Sequence, residues 1–177
     1  MFDSIKTENP DFIVWLGDNP SHEVYAQTAD GHKSLLSNLT HSLLKNHKGI
    51  GKVYPVVGNH EGLPSDHIDV TKEGHWMFEF LAELWSPWLT EESQESMRKY
   101  GRYVQLHPGT KLRVIGLNSF VQDAMNSYTW RNATDPMGEL VWLNEVLKSI
   151  EDNKEKALII GHYPPYNTFG NAGITYK

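Results

Sequence analysis

The sequence predicts an α/β fold: a layered sandwich of mixed sheet flanked by helices, and an incomplete one. Three observations predict it. Short apolar runs that close on a glycine and a polar residue alternate with segments of helical periodicity. One pair of strands joined by a tight turn adds an antiparallel step to a pattern that otherwise reads as parallel. The length of 177 residues, with 16 Lys+Arg, 22 Asp+Glu and a formal charge of −6, suits a single core. Residues 1–177 are therefore read as one partial domain.

The elements follow in order. Phe12, Ile13, Val14, Trp15 and Leu16 form an apolar run closed by Gly17-Asp18-Asn19-Pro20, the mark of a buried strand ending in a turn. Between residues 30 and 47, Leu35, Leu36, Leu39, Leu43 and Leu44 recur at helical spacing. Val53-Tyr54-Pro55-Val56-Val57 is a second strand, and its proline predicts an edge or a bulge. Over residues 75–89, Trp76, Met77, Phe80, Leu81, Leu84, Trp85 and Trp88 form an apolar stripe, read as core packing. Residues 103–106 and 112–117 read as a hairpin around His107-Pro108-Gly109. Asp135-Pro136 predicts a helix start, with Asp as N-cap and Pro in the first position. Leu140, Leu143, Val146, Leu147 and Ile150 continue that helix, and Ala157-Leu158-Ile159-Ile160 form a last strand ending in Gly161-His162.

Composition removes several classes of function. The absence of cysteine rules out a disulfide framework, a thiolate zinc site and a cysteine nucleophile in this stretch. The acidic balance argues against a nucleic-acid polymer as partner. No run approaches the ~20 apolar residues of a transmembrane segment. The opening MFDSIKTENPDF has no basic start and no apolar stretch, so no signal peptide is read there. The early first strand and the ending GNAGITYK suggest a piece of a longer protein.

Three strands end in a polar residue placed directly after glycine: Gly17-Asp18, Gly58-Asn59-His60 and Gly161-His162. In open α/β sheets, ligands bind beyond the carboxyl ends of the strands. Each residue has an ordinary role open to it. Asp18 can close a turn, Asn59 can supply a left-handed residue, and His162 can pack in a loop. Together they form an oxygen- and imidazole-rich donor set suited to Zn, Mn or Fe.

These blocks resemble the calcineurin-like metallophosphoesterases, whose ordered motifs are D-x-H, G-D, G-N-H-[DE], G-H and G-H-x-H. The second, third and fourth stand here as Gly17-Asp18, Gly58-Asn59-His60-Glu61 and Gly161-His162. His22 follows Asp18 by four residues, where protein Ser/Thr phosphatases carry Arg. Ser21 stands where purple acid phosphatases carry a Tyr ligand. GDNPSHEVY, VYPVVGNHEGLP, LWSPWL, LRVIGLNS, NATDPMGELVWL and IIGHYPP are similar to the acid sphingomyelinase branch. The resemblance implies that Asp18 bridges two metal ions, zinc by analogy, and that Asn59 and His162 bind the second. It implies that His60 and His22 act at the phosphate and its leaving group, while Glu61 holds the loop through a salt bridge. No D-x-H block precedes Phe12 and no G-H-x-H block follows His162. The expected site is therefore half-built, and activity of this piece alone is in doubt.

The implied reaction is hydrolysis of sphingomyelin, recognised at its headgroup, to ceramide and phosphocholine, with a peripheral membrane contact. The alternatives are a nucleotide phosphodiesterase of the same superfamily, or a truncated, non-catalytic binding or structural module. A secreted or lysosomal setting follows from the same resemblance, with Asn38 and Asn132 as glycosylation sequons. Trp130, Tyr163, Tyr166 and Phe169 offer cation–π contact to a choline group, although loop packing is the stronger reading for them.

Overall fold

The computed structural model of the chain describes residues 10–46, 52–123, 125–131 and 134–164, together with residues 5, 7 and 8. Strand β1 (Phe12–Trp15) pairs in parallel with β2 (Lys52–Pro55), from Phe12 opposite Lys52 to Trp15 opposite Pro55. Helix α1 (Ala29–Asn46) lies between them in the chain and makes the crossover that a parallel pair requires. Pro55 is the last residue of its strand, where its missing N–H costs nothing. Val56 N–H carries the ladder on by donating to the Trp15 carbonyl at 2.9 Å.

A second sheet has the order β3 (Tyr103–Leu106), β4 (Leu112–Gly116), β5 (Lys156–Ile160). The β3–β4 pair is the antiparallel hairpin the sequence predicts, and β4–β5 is parallel. Helix α4 (Glu139–Asp152) is the crossover of that second parallel pair. In each sheet the parallel strands deliver their carboxyl ends to one edge, which places the Gly-plus-polar turns where a ligand can be met.

The core joins α1, β2 and helix α2 (Trp76–Leu84), with Leu36, Tyr54, Val57, Met77, Phe78, Leu81 and Trp85 all at 0–1% exposure. The stripe on α2 is turned slightly from the expected one. Phe78 and Ala82 are buried, while Trp76 and Phe80 are only partly covered and carry the Lys33 ammonium 5.5 and 5.9 Å from their ring centres. The helix stops at Leu84, ahead of Ser86-Pro87, rather than reaching Leu89.

Two further differences have local causes. Helix α3 (Glu91–Tyr100) is almost wholly polar and buries only Ser93 and Met97, so periodicity does not reveal it. Its ends carry capping residues and ordered charge, which the reading by periodicity passed over. Thr90 accepts from Ser93 N–H at 3.2 Å, Glu91 and Glu92 occupy the first turn, and Arg98 and Lys99 the last. The Asp135-Pro136 start is corrected as well. Residues 136–138 form a 3-10 turn, Met137 and Gly138 have positive φ, and α4 begins at Glu139. Asp135 still caps the helix, but from outside the turn, by accepting from Leu140 N–H at 2.8 Å and Val141 N–H at 3.1 Å.

Buried ionic contact fixes this corner. The Arg102 guanidinium lies between the Tyr100 and Trp142 rings, 4.5 and 4.6 Å from their centres, and donates to Glu139 Oε2 at 2.9 Å. Glu139 Oε1 also accepts from Asn118 N–H at 3.1 Å. Burial pushes the Glu139 carboxyl up to about 7, against the pull of Arg102 and the Asn118 N–H. Replacing Glu139 by Ala strands a buried guanidinium and a backbone donor. The expected loss is about 3–5 kcal/mol of unfolding free energy, read from the urea midpoint. A loss below about 1 kcal/mol, the range of an exposed pair, would contradict this role.

Candidate functional site

The turn after β1 and the turn after β2 meet backbone to backbone. Gly17 has φ +83°, and a Cβ placed there would lie 2.5 Å from Gly58 N. A Cβ on Gly58 would lie 2.5 Å from Asp18 Oδ1. Only glycine at both positions allows this approach. Asp18 itself takes φ +61°, and Asn59 sits in a 3-10 turn (Asn59–Glu61) instead of the left-handed region.

Glu61 holds the two turns together, though among the described residues it forms no salt bridge. Its fully buried carboxylate accepts four N–H groups: Asp18 N at 2.9 Å, Gly58 N at 2.7 Å, Asn19 N at 2.9 Å and Asn19 Nδ2 at 2.8 Å. The expected ion pair is thus replaced by backbone and amide donors, enough to satisfy both oxygens. The Asn19 amide oxygen in turn accepts from Trp15 Nε1 at 3.0 Å.

Asp18, Asn59 and His162 converge. His162 Nε2 lies 2.8 Å from Asn59 Oδ1 and 3.3 Å from Asp18 Oδ2. Its other nitrogen, Nδ1, lies 2.7 Å from the Leu16 carbonyl, an acceptor that fixes Nδ1 as the protonated one and leaves Nε2 to face the oxygens. Asp18 Oδ1 accepts from His60 N–H at 3.0 Å. Asn59 Nδ2 donates to Asp66 Oδ1 at 2.7 Å.

The electrostatics agree with the geometry. Burial alone would raise the Asp18 carboxyl, yet the His162 ring and the His60 N–H pull it below the usual range. Burial alone would lower the His162 imidazole, yet Asp18 and the Leu16 carbonyl hold its pKa above the ordinary value. Three donor atoms thus create a place for positive charge.

His60 is 5% exposed, and its Nδ1 has no hydrogen-bond partner among the described residues. The His22 ring meets it edge-on, 4.2 Å between ring centres. Sequence reasoning missed Asp66 and Asp123. Asp123 is buried beside Tyr163, and burial pushes its carboxyl up. Neither stands in a Gly-plus-polar block, so no motif marks them. Of the four aromatics named above, Trp130 is 72% exposed and Tyr163 packs against His162 at 4.9 Å. Tyr166 and Phe169 lie outside the described residues, as does Asn132, while Asn38 is exposed on α1. A separate cavity of about 600 Å³, lined by Tyr100, Arg102, Tyr128, Met137 and Trp142 among others, includes none of the convergent residues.

The sequence matches the family Calcineurin-like phosphoesterase over residues 1–176. The chain belongs to the calcineurin-like phosphoesterases. It is 39% identical over 160 residues to a sphingomyelin phosphodiesterase of Bos taurus, covering 88% of this chain and 25% of that protein. It is 35% identical over 158 residues to sphingomyelin phosphodiesterase B of Dictyostelium discoideum, covering 89% and 25%. It is also 36% identical over 155 residues to the cyclic GMP-AMP phosphodiesterase SMPDL3A of Bos taurus, covering 86% and 34%. The chain spans about a quarter of the length of the sphingomyelin phosphodiesterases it matches.

A calcineurin-like phosphoesterase implies divalent metal ions. Among the described residues no group of three or more His, Asp or Glu could hold one unaided. The Asn59 amide oxygen supplies the missing donor beside Asp18 and His162, and one imidazole with two oxygens fits a borderline divalent ion.

The Glu61 contacts yield a test. Glu61→Gln puts an NH2 group against N–H donors and removes the charge. The expected cost is about 2–4 kcal/mol, since charge-assisted hydrogen bonds contribute roughly 1.5–3 kcal/mol each and leave buried donors unpaired when lost. Thermal and urea unfolding measure it. An unchanged urea midpoint would contradict the role given to Glu61.

Proposed function

We propose that this chain forms part of a metal-dependent phosphodiester hydrolase of the acid sphingomyelinase kind, acting on sphingomyelin to release phosphocholine. The observation that carries this reading is the meeting of Asp18 Oδ2, Asn59 Oδ1 and His162 Nε2 from three separate strand ends. In it, Asp18, Asn59 and His162 hold a divalent ion, and zinc is the ion proposed. When bound, such ions neutralise the phosphodiester and acidify the attacking water.

The chain's own residues do the rest. Asp18 is held for ligation because its carboxylate is kept ionised and its Oδ1 is tied to the His60 N–H. That bond also fixes the start of the His60 side chain relative to the ion. His60 then donates a proton to the departing oxygen, and His22, stacked edge-on at 4.2 Å, supports the same transfer from the solvent side. The Leu16 carbonyl accepts from His162 Nδ1, which would leave the Nε2 lone pair to a divalent ion.

The named substrates of the relatives support two choices. The sphingomyelin phosphodiesterases favour a lipid headgroup; a peripheral membrane contact, a secreted or lysosomal setting and glycosylation at Asn38 and Asn132 are part of the same proposal. The cyclic GMP-AMP phosphodiesterase favours a nucleotide diester. No helix among the described residues is long and apolar enough to cross a membrane.

Full-length, zinc-loaded protein assayed on sphingomyelin and on a cyclic dinucleotide in parallel decides between them. Faster turnover of sphingomyelin is expected, and faster turnover of the nucleotide would overturn the lipid reading. Asp18→Ala is expected to abolish metal binding. His60→Ala is expected to keep the metal and lose about 10²–10⁴-fold in kcat, the usual contribution of a general acid. Unchanged metal content in Asp18→Ala would contradict the assignment.

A further inference from the structure

An asparagine side chain has two ends of nearly equal size, and only the oxygen can bind a cation. At Asn59 the choice between them decides whether the third donor exists at all. Asp18 is oriented by the His60 N–H and His162 by the Leu16 carbonyl. The corresponding contact for Asn59 comes from a residue outside every strand-end motif.

We infer that Asp66 is a positioning residue that fixes the Asn59 amide, turning Oδ1 toward His162 and Asp18 so that it can serve a divalent ion. The inference rests on Asn59 being a ligand, as proposed above. Asp66 grips Asn59 at two points. Its Oδ1 accepts from Asn59 Nδ2 at 2.7 Å, and its own backbone N–H donates to the Asn59 carbonyl at 3.0 Å. The first contact has the short length of a charge-assisted hydrogen bond. Flipping the amide would set its oxygen against the Asp66 carboxylate, two acceptors face to face, so one orientation is selected. A carboxylate on the NH2 end also polarises the amide and increases electron density at Oδ1.

The backbone contact closes residues 59–66 into a loop, and Asp66 completes it with φ +65°. Aspartate and asparagine tolerate that conformation better than other residues with side chains, and glycine adopts it freely. Asp66 is therefore suited both to the turn and to the grip on Asn59.

Asp66→Gly and Asp66→Asn separate these roles, because both suit the backbone and only Asn keeps an oxygen acceptor. Zn²⁺ is titrated calorimetrically into the intact protein and into each variant, with Asn59→Ala alongside. Asp66→Gly is expected to weaken Zn²⁺ binding about 10–100-fold, the usual cost of losing a group that orients a metal ligand. Asp66→Asn is expected to recover most of that loss. Wild-type affinity in Asp66→Gly, with affinity lost in Asn59→Ala, would overturn the inference and leave the metal reading standing. Unchanged affinity in Asn59→Ala would overturn both. A second readout needs no metal and no variant that might unfold. In the metal-free wild type, one Asn59 Nδ2 proton should be shifted downfield and protected from exchange by NMR. Two equivalent, fast-exchanging protons would overturn the inference.

Discussion

The carboxylate of Glu61 is the contact on which the rest of the site depends. It is buried, it forms no ion pair among the described residues, and it is satisfied by four N–H groups from two different turns. Burying a carboxylate is costly unless its lone pairs are filled. Here the donors that fill them belong to Asp18, Asn19 and Gly58, so satisfying one side chain forces the turns after β1 and β2 into contact. That contact is possible only because Gly17 and Gly58 present no Cβ to one another. The unusual backbone of Asp18, at φ +61°, is the visible cost of the same arrangement.

The second sheet shares its core with the first, and at the site it contributes the His162 side chain. His162 follows β5, yet its Nδ1 reaches the carbonyl of Leu16, just after β1, and its Nε2 reaches Asn59 and Asp18. Two parallel βαβ units therefore place their carboxyl ends against each other, one supplying two oxygen donors and the other an imidazole. Positive charge is favoured where they meet, and the raised pKa of His162 and the lowered pKa of Asp18 express that preference.

Much of this was legible in the sequence. The apolar runs at residues 12–16, 53–57 and 157–160 announced their strands, and the glycine after each announced a turn, because few other residue types permit so sharp an exit. What stayed hidden depends on contacts between distant residues. Helix α3 has caps and charge order but almost no apolar face, so the strongest periodic signal was missing. Glu61 was expected to find a cation. Its true partners are three backbone N–H groups and the Asn19 amide, most of them more than forty residues away, which no charge pattern reveals. Asp66 and Asp123 acquire meaning only once the turn after Asn59 and the segment after β4 are brought beside His162. The start of α4 was misread because Asp135 caps it across a left-handed turn at Met137 and Gly138, a geometry that Asp-Pro does not encode.

Anomalous diffraction from a crystal of the intact protein grown with zinc tests the central claim most directly. The account predicts a peak about 2.0–2.2 Å from Asp18 Oδ2, Asn59 Oδ1 and His162 Nε2 together, the ordinary range for zinc with oxygen and imidazole donors. A fully occupied peak elsewhere, with those three atoms still bonded to one another, would contradict it.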